Sequence, residues 1–100
     1  MAVREIRDAE FDEEVASGKV LVDCFATWCG PCRMLGPVIE ELSEELSDVK
    51  FCKLDVDEND VVPAKYAVFS VPTMLIFKDG KLFKTLVGYH DGDEIKKFLK

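Results

Sequence analysis

The stretch Val20-Leu21-Val22-Asp23-Cys24-Phe25-Ala26-Thr27-Trp28-Cys29-Gly30-Pro31-Cys32 decides how the rest of the chain is read. From Val20 to Ala26, apolar side chains fall on both alternating faces and only Asp23 interrupts them. A strand of that kind belongs in the middle of a sheet covered on both sides. After the loop Thr27 to Gly30, apolar residues recur at Met34, Leu35, Val38, Ile39, Leu42 and Leu46, the spacing of a long helix with one buried face. Pro37 lies inside that helix and predicts a kink. A buried strand therefore hands over to a helix at Trp28-Cys29-Gly30-Pro31-Cys32, the edge of an α/β sheet at which sites form.

Working outward, Val3 to Ile6 reads as a short strand, and Asp8 is placed to cap a helix carrying Phe11 and Val15 that Gly18 ends. Phe51 to Val56 reads as a strand and Asp60 to Tyr66 as a short helix, with Pro63 tolerated in its first turn. Thr73 to Phe77 and Leu82 to Val87 flank Asp79-Gly80, a pair that predicts a tight antiparallel hairpin. Ile95, Phe98 and Leu99 form the apolar stripe of a last helix. The order β-α-β-α-β-α-β-β-α predicts an α/β fold, a three-layer α/β/α sandwich. Its central mixed sheet would have about five strands, mostly parallel with an antiparallel C-terminal hairpin, flanked by about four helices.

Composition narrows the function. One hundred residues, 48% of them hydrophobic, make one domain (1–100) able to bury roughly two-thirds of its unfolded surface. With only 6 Gly and 4 Pro, collagen-like and disordered classes are excluded. A net charge of -7 opposes the attraction on which nucleic-acid and anionic-membrane binders rely, so neither partner is expected. No apolar run approaches the length of a membrane span, and Met1 to Ile6 carries no charged-then-apolar leader, so a cytoplasmic protein is expected. In such a chain, four cysteines point to reactive or metal-binding thiols rather than structural bridges.

Cys29 and Cys32 stand three apart at the first turn of the predicted helix, where they can close a small disulfide ring. Unpaired N–H groups and the partial positive charge of the helix terminus favour a thiolate there. Cys29 is then the exposed nucleophile that attacks a substrate disulfide, and Cys32, one turn further in, resolves the mixed disulfide. Pro31 presets the helical backbone and Gly30 keeps bulk away from the attacking sulfur. Zinc sites share the C-x-x-C spacing, but the strand before and the helix after favour redox work. Trp28 reads as a shield over the site, against plain core packing. Asp23 shares a strand face with Leu21 and Phe25, so it is either a buried carboxylate with a raised pKa or one satisfied by backbone N–H groups.

These residues resemble the thioredoxin family. WCGPC matches its active-site motif, VDCFATWCGPCRMLGP the flanks, and SVPTMLIFKDG followed by VG the second half. The resemblance implies the thioredoxin fold and a protein disulfide reductase with no bound organic cofactor and no metal. It makes Asp23 the buried aspartate that assists proton transfer with Cys32, and Lys53 the lysine near that carboxylate. Pro72 would be a cis-proline facing the cysteines, with the Val71 backbone pairing with an extended substrate segment. Trp28, Val87 and Gly88 would line the substrate groove, a side chain at 88 blocking the approach. The implied partners are disulfide-containing proteins and a thioredoxin reductase drawing on NADPH, and the protein would act as a monomer.

Departures from the family pattern lie at Phe69 and Ser70, where a polar residue and a glycine are common. An exposed Phe69 would be a docking contact, a buried one ordinary packing. Cys24 and Cys52 are extra; if Asp23 and Lys53 share one face, alternation turns both cysteines to the other, as small core hydrophobes, with a second disulfide as the alternative. Among rival readings, a disulfide oxidase or isomerase would keep the fold. The spacing Cys24-x4-Cys29-x2-Cys32 with Cys52 also suits a [2Fe–2S] carrier, although Cys24 sits in an apolar strand. Asp55, Asp57 and Asn59 mimic the start of a calcium loop, but Asp60 takes the glycine position and Tyr66 that of the final glutamate. His90, the single histidine, reads as a surface loop residue.

Overall fold

The computed structural model describes residues 2–100, and Met1 lies outside them. In chain order the elements are β1 (Val3–Glu5), α1 (Asp8–Glu14), β2 (Lys19–Phe25), α2 (Gly30–Glu45), β3 (Val49–Asp55), α3 (Val61–Lys65), β4 (Thr73–Lys78), β5 (Lys81–Val87) and α4 (Gly92–Lys96). The five strands form one sheet in the order β1-β3-β2-β4-β5. β2, buried along nearly its whole length, occupies the centre, as its two apolar faces require.

β1 and β2 each run parallel to β3, while β4 runs antiparallel to both β2 and β5. The antiparallel pairing thus reaches inward to the central strand instead of stopping at the hairpin. α3 does not act as a crossover helix: its five residues advance only about 7.5 Å, against about 23 Å for the seven residues of β3. The chain returns to the end it left, and β4 starts opposite Cys24 at the C-terminal end of β2. The turn at Asp79-Gly80, with φ of 50° and 83°, then has the twist that suits a two-residue hairpin.

The sheet separates two cores. On one face Val20, Val22, Cys24, Cys52, Leu54, Leu75 and Phe77 pack against Phe11 and Val15 of the α1 segment and Val62 of α3. On the other, Leu21, Phe51, Met74 and Ile76 meet Leu35, Ile39 and Leu42 of α2 and Ile95 of α4. Fully buried side chains such as Phe11, Phe51 and Phe77 each contribute about 2–3 kcal/mol. α2 continues through Pro37 as one helix, but Met34, expected on its buried face, is 64% exposed.

Asp8 does not cap α1. It is the first helical residue, and Arg7 N–H donates instead to Glu10 Oε1 at 2.9 Å. The Asp8 carboxylate reaches across to accept from Val61 N–H and Val62 N–H at 3.0 and 2.9 Å, satisfying the first amides of α3. Asn59 Oδ1 accepts from Asp8 N–H at 2.8 Å, and its Nδ2 donates to Asp55 O at 3.0 Å. The segment resembling a calcium loop is thereby committed to holding α1, β3 and α3 together. α1 ends at Glu14 with Val15 at its C-terminal cap, and Gly18 sits in the turn that follows.

Candidate active site

Cys29 caps the N-terminus of α2, and Cys32 lies in the first turn, with Gly30 and Pro31 between them. The two cysteines form a disulfide with their Cα atoms 5.2 Å apart. Cys29 Sγ accepts from Cys32 N–H at 3.2 Å, so an unpaired amide of the helix terminus is aimed at the sulfur that occupies the cap. A Cβ added at Gly30 would meet no atom within 4 Å, so the side of the site at that residue is open.

The expectation that Cys29 is the exposed member is corrected: Cys29 and Cys32 are 5% and 6% exposed. Ala26, Phe25, Val56 and Val71 pack around both, because the end of β2 delivers Cys29 beneath the loop before β4. What distinguishes the sulfurs is what each faces. Cys29 Sγ stands 3.6 Å from the Val71 carbonyl oxygen. Cys32 lines a cavity of about 290 Å³ that it shares with Asp23, Lys53, Phe25, Arg33 and Gly36.

Asp23 is 5% exposed, and its Oδ1 is buried with no hydrogen-bond partner in the protein. Burial pushes its carboxyl up to about 7, with Lys53 pulling the other way. β2 and β3 set Asp23 directly opposite Lys53, whose Nζ lies 5.6 Å from the centre of the Phe25 ring. Of the two readings left open for Asp23, the one with backbone partners does not hold for Oδ1.

The Val71–Pro72 bond is cis and Pro72 is buried. Gly88 N–H donates to Pro72 O at 2.8 Å, which joins the end of β5 to this loop. Gly88 has φ of 86°, a conformation that other residues rarely adopt, and a Cβ there would meet no protein atom within 4 Å. Backbone conformation therefore demands the glycine, while the space in front of it is open. Val87 beside it is 60% exposed.

Trp28 is 67% exposed, which removes the core-packing alternative. Its indole Nε1 donates to Asp57 Oδ2 at 2.7 Å, and the ring lines a groove of about 410 Å³ with Val56, Val68, Phe69, Ser70 and Val71. Phe69 is 90% exposed and lines that groove, so it is not ordinary core packing. Sequence reasoning missed Asp57 as the partner of Trp28, since the pairing joins loops 29 residues apart and leaves no local pattern. It also missed the engagement of His90. That side chain is only 21% exposed and bonds to Val87 and Glu94.

Cys24 and Cys52 are free, fully buried and on the sheet face away from Asp23, with Cys24 opposite Leu54 and Cys52 opposite Val22. Their diagonal placement puts the Cα atoms about 8 Å apart, beyond disulfide reach. Cys24 and Cys52 lie in the core under one sheet face, whereas Cys29 and Cys32 are joined at the N-terminus of α2, so the four sulfurs do not converge on one iron–sulfur cluster and that rival fails. Among the described residues, no group of three or more His, Cys, Asp or Glu is placed to hold a metal ion. No helix among them is long and apolar enough to cross a membrane. Burial pushes the Cys24 thiol up to about 12 and the Cys52 thiol up to about 11. Alkylation of the reduced native protein, located by peptide mass mapping, is therefore expected at Cys29 and Cys32 only. Labelling at Cys24 or Cys52 should require denaturant, and labelling in the native state at a comparable rate would contradict the burial argument.

A family model described as Thioredoxin matches residues 2–100. A thioredoxin of Listeria monocytogenes is 48% identical over 98 residues, covering 97% of this chain and 95% of the relative. A thioredoxin of Staphylococcus aureus is 46% identical over 100 residues, covering 99% and 96%. Among solved structures, a mutant thioredoxin from Halobacterium salinarum NRC-1 superposes with a TM-score of 0.89 at 38% identity, covering 97% of this chain and 87% of that one.

Proposed function

The chain belongs to the thioredoxin family and reduces protein disulfides by dithiol–disulfide exchange, and from that premise we propose how its residues divide the work. The Cys29 thiolate attacks one sulfur of a substrate disulfide, forming a Cys29–substrate bond and expelling the other substrate sulfur as a thiolate. Cys32 then gives its proton to the Asp23 carboxylate and attacks Cys29 Sγ. The second substrate sulfur leaves as a thiolate, the proton held by Asp23 returns to solvent or to that thiolate, and the Cys29–Cys32 disulfide remains. Two electrons pass from the dithiol to the substrate, and a thioredoxin reductase drawing on NADPH restores them.

One observation carries this reading: the two sulfurs of a single ring face different surroundings, Cys29 the Val71 carbonyl and Cys32 the cavity holding Asp23. A carboxyl held at about 7 exchanges its proton near neutral pH, as such a relay needs. Lys53 tempers the cost of the buried charge. The Val71 backbone, Pro72, Val87, Gly88 and Trp28 form the surface along which an extended substrate segment lies. Gly30 and Pro31 shape the approach to Cys29. The chain acts as one domain, as a monomer and in the cytoplasm, using its own disulfide and no bound cofactor.

The equilibrium reduction potential of the Cys29–Cys32 pair, read against a dithiothreitol or glutathione buffer, tests this assignment. The expected value is about -270 mV, a figure known for thioredoxin itself and borrowed from it rather than obtained from this geometry. A value of about -180 mV or higher would instead mark an oxidant or isomerase built on the same fold.

A further inference from the structure

We propose that His90 is a positioning residue that, in its imidazolium form, clasps the Val87–Gly88 peptide against Pro72. The peptide unit is held from both sides. Its N–H, from Gly88, donates to Pro72 O at 2.8 Å, and its carbonyl, from Val87, lies 3.1 Å from His90 Nε2. The other ring nitrogen, Nδ1, is 2.9 Å from Glu94 Oε1 on α4. Both nitrogens thus face acceptors, and only a ring with both nitrogens protonated can donate to both. His90 therefore ties α4 to the end of β5, and through Gly88 to the cis-proline loop whose preceding carbonyl stands beside Cys29 Sγ.

The charged groups acting on the ring are Glu94 of α4 and Asp91 in the connection before it, both acidic. The hydrogen bond to Glu94, and after it the bond to Val87 and the two carboxylates, raise the imidazole above its ordinary value of 6.5, against some desolvation. When the ring loses a proton, the remaining one stays on Nδ1, facing the stronger carboxylate acceptor. Nε2 then presents a lone pair to the Val87 carbonyl, and the clasp opens. The substrate groove is consequently held more firmly below the His90 transition than above it. This deepens the reading in which Val87, Gly88 and Pro72 bind substrate, and rests on it.

Two readouts test the inference. In nuclear magnetic resonance titrations of the oxidised protein, the Gly88 amide is expected to shift with the same midpoint as the His90 ring. That coupled shift should be absent in His90→Leu and should move to lower pH in Glu94→Gln. This arm needs no turnover, so it stands apart from the reductase reading, and a Gly88 amide that ignores His90 overturns the clasp. In reduction of a disulfide-bonded peptide, KM of the native chain is expected to rise about five-fold across the His90 transition with kcat little changed, the effect of one net hydrogen bond. The KM of His90→Leu should stay flat at the higher value. The titration of Asp23 is common to both proteins and cancels in the comparison. Equal KM profiles with turnover intact would overturn the proposed effect on substrate binding.

Discussion

Cys32→Ser is expected to turn the protein from a catalyst into a trap. Cys29 can still attack a substrate disulfide, but serine cannot displace the bound sulfur, and the mixed disulfide accumulates. Cys32 is held one helical turn from Cys29, with its own amide already on the Cys29 sulfur. The loss of so well placed a neighbour should slow release at least about a thousandfold. Cys29→Ser is expected to abolish exchange altogether, because no thiolate then occupies the cap of α2. Mass spectrometry of each variant after incubation with a disulfide-bonded protein should find covalent substrate on Cys29 in the first and none in the second. Free substrate released by Cys32→Ser at the normal rate would overturn the assignment. So would an adduct on Cys32 in Cys29→Ser formed as fast as the native one, an outcome with real content because the two cysteines are almost equally covered.

Removing the Asp23 carboxyl is expected to affect stability and rate in opposite directions. In the unfolded chain the carboxyl titrates at its ordinary 3.8, and in the folded, oxidised protein at about 7. Between those values the native state keeps a proton that the unfolded state has released, so stability falls as pH rises through this window and levels off above it. Below 3.8 the penalty is absent, and at pH 8 it amounts to about 4 kcal/mol. Urea unfolding of oxidised Asp23→Asn should accordingly show a gain of a few kcal/mol over the native chain at pH 8 and almost none at pH 4. A gain that did not depend on pH would locate the effect in packing rather than charge. Exchange should suffer where stability benefits. Near neutral pH, Asp23→Ala is expected to be slower by up to about a hundredfold with its fold intact, and to lose the inflection near pH 7. An unchanged pH–rate profile would remove Asp23 from proton transfer.

What could be read from the residues divides along the line between local and long-range causes. Alternation is set by the backbone alone, so counting puts Cys24 on the face opposite Asp23 and Cys52 on the face opposite Lys53. That Asp23 and Lys53 share a face rests on the family resemblance, and the pairing of β2 with β3 agrees. The motif at Cys29 to Cys32 was legible because a buried strand and an amphipathic helix bracket it within a short span. The direction of β4 was harder to see. It depends on the path of the irregular connection after β3, in which α3 supplies only five helical residues, and such a path leaves no periodic pattern. Asp8 carries an N-cap signal that is real but serves a different helix, since cap chemistry does not specify which N-terminus it meets. Met34 lies at the right helical spacing but on the rim of the buried stripe, and periodicity does not say how wide that stripe is. The two partners of His90 belong to β5 and α4, and a single histidine in a loop carries no pattern that points to either.

The direction of β4 has a practical consequence. Because the chain leaves and re-enters the sheet at the same end, the redox ring, Asp57, the Val71–Pro72 loop and the Val87–His90 segment gather there. The Asp79-Gly80 turn lies at the opposite end, together with Gly18, whose N–H donates to Asp79 Oδ1 at 3.0 Å. The six residues of β4 separate these ends by about 20 Å. A surface anchor placed beside that turn would orient every molecule in a monolayer with its dithiol towards the solution. The polarity that confines the chemistry to one rim also makes the protein a directional component for an electrode.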